Sequence, residues 1–148
     1  MSMELFSYDM WDQFSLTSEE LKRAKQNHLE DIIKTLCRVA VVDEFQHRLY
    51  TNLGHTHVER EEARKAIYTT YCGDLVDWST YPEAFATMRQ KQLHIFELPF
   101  YYIEYAIAQL GAIAMWKNYL VDKKQGITNY TNFLAQGYTC PIPEIFAA

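Results

Sequence analysis

The most regular pattern of apolar positions in the chain begins just after Thr17. From there Leu21, Ala24, Leu29, Ile32, Ile33, Leu36, Cys37, Ala40, Val41, Phe45 and Leu49 follow at three- and four-residue steps, the spacing of one helix face. Thr17 and Glu20 have the spacing of a capping box, in which hydroxyl and carboxylate each satisfy a backbone N–H of the first turn. No proline or glycine interrupts before Gly54, so the pattern predicts one helix from about Ser18 to Thr51, roughly 50 Å long at 1.5 Å per residue. A helix of that length is expected to cross a domain wider than this chain alone.

A second helix is predicted to open at Thr56, with the same spacing to Glu59, and to close near Gly73; Val58, Ala63, Ile67, Tyr68 and Tyr71 form its stripe. Pro82 suits the first turn of a third helix running towards Leu93, because its missing N–H would be unbonded there anyway. Pro99 breaks the next apolar stretch, and a helix from about Phe100 to Val121 follows. Gly126 is expected to end that unit. Thr128 or Asn129 then caps a short helix to Gln136, and Gly137, Pro141 and Pro143 mark an irregular tail before Glu144.

The first residues, MSMELFSYDMWDQF, read as the middle or end of a helix with no N-cap before them, so the chain is expected to begin inside an element. No Asn-Gly or Asp-Gly hairpin turn occurs, and no long run alternates apolar and polar residues. The fold class is therefore all-α, and residues 1–148 are expected to form a single but incomplete domain.

Composition changes this picture little. With 148 residues, 49% hydrophobic and 22% charged, the chain can bury a core. A formal charge of -5 lacks the basic footprint that phosphate recognition needs, so nucleic acid is set aside as a partner. The amino terminus has no basic segment leading into a long apolar run, and neither a signal peptide nor a membrane-spanning helix is expected. Cys37, Cys72 and Cys140 are odd in number and far apart, which suggests buried or free thiols in a reducing cytoplasm.

The stretch HIFELPFYYIEYAIAQLGA, from His94 to Ala112, resembles a signature near the carboxy terminus of oligoendopeptidase F-like enzymes, relatives of thimet oligopeptidase. VDEFQHRLYTNLGHTHVER from Val42, DLVDWS from Asp74, MSMELF from Met1 and PIPEIF from Pro141 also look like family sequence, in the family's order. The resemblance covers nearly the whole chain. It implies the helical part of a zincin-like catalytic domain that cuts short peptides in the cytoplasm. In that family zinc is held by the two histidines of an H-E-x-x-H helix and a glutamate on a later helix. No H-E-x-x-H occurs here. The resemblance places all three ligands before Met1, so this chain begins after the zinc-binding helices. Zinc is then the cofactor of the full-length enzyme, no metal ligand is expected in this chain, and the chain alone is expected to be inactive. Its partners would be short peptide substrates and a missing amino-terminal peptidase part.

The same resemblance makes His94, Tyr101, Tyr102 and Tyr105 the candidate catalytic residues. Peptide hydrolysis builds negative charge on the carbonyl oxygen, which a phenol O–H or imidazole N–H at hydrogen-bond distance stabilises. Tyr101 and Tyr105 lie one helical turn apart, as do Tyr102 and Tyr105 within tolerance, so either pair can face one cleft. The same tyrosines also fit an ordinary amphipathic core.

Two other histidine patterns carry less. His55 and His57 form an H-x-H beside Gly54, most simply a solvated turn, while Glu59, Arg60, Glu61, Glu62, Arg64 and Lys65 read as a solvated helix face. Glu44 and His47 have the E-x-x-H spacing of di-iron bundles, but such a site needs a second copy and two further glutamates. A stand-alone helical interaction module without catalysis is the alternative function. Little charge interrupts Ile95 to Trp116 beyond Glu97 and Glu104, so self-association is expected of the isolated chain.

Overall fold

The structure is a computed structural model that describes residues 1–14 and 17–147. Every regular element among them is helical. In chain order they are α1 (Ser2–Phe6), a 3-10 stretch (Ser7–Phe14), α2 (Ser18–Thr51), α3 (His57–Cys72), α4 (Pro82–Thr87), a 3-10 turn (Met88–Lys91), α5 (His94–Glu97), α6 (Ile103–Val121), α7 (Lys123–Gln136) and α8 (Ile142–Ala147). They form two compact units: Met1–Asn27 with Ile107–Ala148, and His28–Ala106.

Both capping boxes form. Glu20 N–H donates to Thr17 Oγ1 at 3.3 Å, and Thr17 N–H donates to Glu20 Oε2 at 2.9 Å. At α3 the corresponding bonds join Thr56 and Glu59 at 3.2 and 2.8 Å, and Gly73 closes the helix with φ +60°, a conformation that side chains disfavour. The Thr56 and Thr17 backbone N–H groups hold the Glu59 and Glu20 carboxylates below the usual range. That support is complete above the ordinary carboxylate range and is lost as pH falls through the depressed values. Replacing Thr56 by alanine keeps the backbone N–H but removes the hydroxyl that accepts from Glu59 N–H and donates to its carboxylate, and urea titration should show a loss of about 1 kcal/mol.

In the unit His28–Ala106 the core is Val41, Val42, Phe45, Ile67 and Ile95, with Leu49, Tyr68, Cys72 and Tyr102 packed against it. Part of each expected stripe thus meets around the fully buried ring of Phe45, while Leu29 and Ile33 of α2 and Val58 and Tyr71 of α3 are exposed. Trp78 stacks on Phe85 with centroids 5.1 Å apart, and Tyr68 meets both edge-on. These contacts cover the α3–α4 connection.

The other unit is aromatic. Phe6 packs against Tyr119 at 4.9 Å and edge-on against Tyr130 at 5.2 Å, and Tyr8 lies between Trp11 and Trp116. Asp9 accepts from Tyr119 Oη at 3.2 Å and pairs with Lys123.

Several sequence-based boundaries move. The helix opened by Pro82 becomes α-helical only to Thr87, then tightens into the 3-10 turn, and the helix placed from Phe100 starts at Ile103. The tail expected to be irregular contains α8. Gly126 is the clearest correction: it does not end a unit but lies inside α7, which Asp122 caps by accepting from Gln125 N–H at 2.9 Å. The glycine is there for closeness. A Cβ at this position would stand 2.5 Å from Tyr119 Cα and 2.8 Å from Tyr119 N, backbone atoms that cannot swing aside. Gly126→Ala should therefore destabilise the chain by about 1–3 kcal/mol, although alanine is the better helix former. A thermal melt no lower than that of the parent would refute the close approach.

Candidate active site

The site is built on the turn that joins α5 to α6 in the unit His28–Ala106. Pro99 excludes helix here, and the chain reverses through Phe100, the one non-glycine residue with positive φ among the described residues, at +57°. Such a conformation costs about 1–3 kcal/mol and persists only where the surroundings hold it.

Gln46 supplies that hold. Its side chain, fully buried on α2, donates from Nε2 to the carbonyls of His94, Ile95 and Leu98 at 3.3, 3.2 and 3.3 Å, and its Oε1 accepts from Phe100 N–H at 2.8 Å. Outside the turn the Phe100 ring lies against His47 at 4.6 Å and Tyr50 at 5.1 Å. Sequence reasoning missed Gln46. The available signal was a polar residue at a core position, next to Phe45 and on the face that carries Val42 and Leu49.

This turn brings all four candidate residues together. The His94 ring stacks parallel to Tyr101 with centroids 6.1 Å apart, and meets Tyr102 and Tyr105 edge-on at 5.1 and 5.9 Å. Tyr105 in turn meets Tyr101 at 5.7 Å and Tyr102 at 5.1 Å. The Tyr105 hydroxyl stands 3.4 Å from His94 Nε2, a long contact of the kind that ligand binding can tighten. On the other edge of the ring, Nδ1 stands 2.6 Å from the Gln92 amide nitrogen.

The three tyrosines are not equivalent. Tyr102 is half-buried and packs on the hydrophobic core, Tyr105 is half-buried outside that cluster, and Tyr101 is 43% exposed. The neighbouring Tyr105 hydroxyl raises the Tyr101 phenol above its ordinary value, with Glu104 adding to the effect. Tyr101 therefore stays protonated at neutral pH and remains a hydrogen-bond donor.

The remaining histidine patterns meet other partners. His55 Nδ1 bonds the Asn52 carbonyl within its own turn, and His57 is exposed in the first turn of α3. His47 Nε2 lies 3.7 Å from Asp43, while the Glu44 carboxylate engages the Tyr71 hydroxyl. Among the described residues no three His, Cys, Asp or Glu side chains come together as a metal-binding set. The His94 ring has a side-chain partner at each nitrogen. This set of donors among the described residues does not fit a catalytic metal ion.

One imidazole and three phenols thus meet around the start of α6 in an all-helical chain. The chain matches the family model of Peptidase family M3 over residues 1–148 and belongs to that family of metallopeptidases, which are zinc-dependent in general. Comparisons with curated proteins and with solved structures returned no match. No helix among the described residues is long and apolar enough to cross a membrane.

Proposed function

We propose that this chain forms the substrate-side wall of the cleft in an oligoendopeptidase F-type M3 peptidase acting on short peptides in the cytoplasm. The observation that carries the reading is the closed set of contacts among His94, Tyr101, Tyr102 and Tyr105, braced from beneath by Gln46. Hydrolysis converts the planar scissile carbonyl into a tetrahedral centre whose oxygen carries negative charge. The hydroxyls of Tyr105 and Tyr101 are the groups able to donate to that oxygen, and His94 orients Tyr105. Tyr102 holds the pair against the core. Because the turn is already built, these donors need little rearrangement when charge develops.

The metal and the general base belong, in this reading, to an amino-terminal peptidase segment carrying H-E-x-x-H and the later glutamate. The isolated chain is inactive. The test is to mix the purified chain with such a segment, confirm association, and follow cleavage of a quenched fluorescent peptide with and without chelator. Chelator-sensitive cleavage by the mixture and by neither part alone is the expected result.

A helical interaction module without catalysis is the second reading, favoured by the exposed apolar side chains of Leu53, Leu75 and Val121. It predicts association without cleavage.

A further inference from the structure

We infer that Arg38 and Gln92 are positioning residues that set the tautomer of His94, and with it the direction of a hydrogen-bond chain ending at the Tyr105 hydroxyl. The geometry starts from a group with no choice. A guanidinium only donates, and Arg38 Nη2 stands 2.9 Å from the Gln92 side chain, so the amide oxygen of Gln92 must face it. The amide nitrogen then faces His94 Nδ1 at 2.6 Å, and it too only donates. His94 Nδ1 is therefore the acceptor, and the ring proton of the neutral imidazole sits on Nε2.

That nitrogen is 3.4 Å from the Tyr105 oxygen, so its N–H points at a lone pair. The Tyr105 O–H is then not spent on His94 and stays on the side of the Tyr101 hydroxyl, its other partner. Arg38, Gln92, His94 and Tyr105 thus form one file in which each member donates to the next, from a permanent positive charge to a phenol whose proton points away from His94. Files of this kind polarise each member in the same sense, which strengthens the last donor. With the opposite tautomer, Tyr105 would spend its proton on His94 Nε2 and would have none to offer. All four residues lie in the unit His28–Ala106, and Arg38 on α2 is 54 residues from Gln92, a link that no local motif reveals.

The value of this file to catalysis rests on the function proposed above, but its direction is a property of this chain and is measured without any activity. The experiment is long-range proton–nitrogen correlation NMR of the 15N-labelled chain at alkaline pH, where imidazoles are neutral. The chain has five histidines, and His94→Gln identifies the His94 signals by their loss. The parent should show His94 with Nε2 protonated and Nδ1 bare. Gln92→Glu keeps the shape but puts an acceptor against Nδ1, and should move the proton to Nδ1. Arg38→Ala, at an exposed position, frees the amide to turn over and should leave a mixture of the two forms.

A parent with the proton on Nδ1 would overturn the inference, as would a tautomer unchanged in both variants. Should Gln92→Glu fail to fold, the Arg38→Ala spectrum decides alone. A failed mixing experiment with the predicted tautomers would remove the peptidase role and leave the file standing.

Discussion

Tyr105→Phe should lower cleavage by the reconstituted peptidase about a hundred- to a thousand-fold, with metal content unchanged. Phenylalanine keeps the ring and its contacts with His94, Tyr101 and Tyr102, so the substitution removes an O–H and little packing. The loss should appear in kcat more than in KM, because the donor is needed most when the carbonyl oxygen becomes charged. Tyr101→Phe removes the more exposed donor and should fall in the same range if that hydroxyl shares the oxygen. Tyr102→Phe should cost least, since its ring serves the core. His94→Ala should approach the Tyr105→Phe loss by leaving the phenol without its orienting partner. If the mixture binds metal and all four variants cleave as fast as the parent, the wall has no catalytic part and these aromatics are packing residues.

Gln46→Leu should destabilise the unit His28–Ala106 by about 3 kcal/mol, a large effect for a swap of similar size. Gln46 is the side-chain partner of the Ile95 carbonyl and the Phe100 N–H. Leucine satisfies neither, and each buried orphan costs roughly 1–3 kcal/mol. The Phe100 strain would also lose its restraint. Gln46→Glu should be no better, because a carboxylate cannot donate to three carbonyls. Urea unfolding measures the change, and a shift below 0.5 kcal/mol, the ordinary scatter of surface substitutions, would show that the turn holds itself.

The candidate site was legible in the sequence as residues and not as an arrangement. His94, Tyr101, Tyr102 and Tyr105 came from a resemblance, and their spacing left two tyrosine pairings open. The break at Pro99 was readable because a missing N–H is local. The turn that follows was not, because its geometry depends on Gln46, some fifty residues earlier in the chain. For the same reason the helix expected from Phe100 starts late: the backbone there is committed to a tertiary hydrogen bond before it can join a helical ladder.

The sequence by itself determined the all-helical class, the 34-residue α2 and the two capping boxes, since apolar periodicity and capping act within a few residues. It also determined the absence of an H-E-x-x-H from these 148 residues. Tertiary structure decided what depends on a distant neighbour. Gly126 looks like a helix stop until Tyr119 backbone is seen where its side chain would be, and Gln46 looks like a stray polar residue until the α5–α6 turn closes over it. Close approach and the pairing of buried polar groups are set by which surfaces meet, and no local spacing rule encodes them.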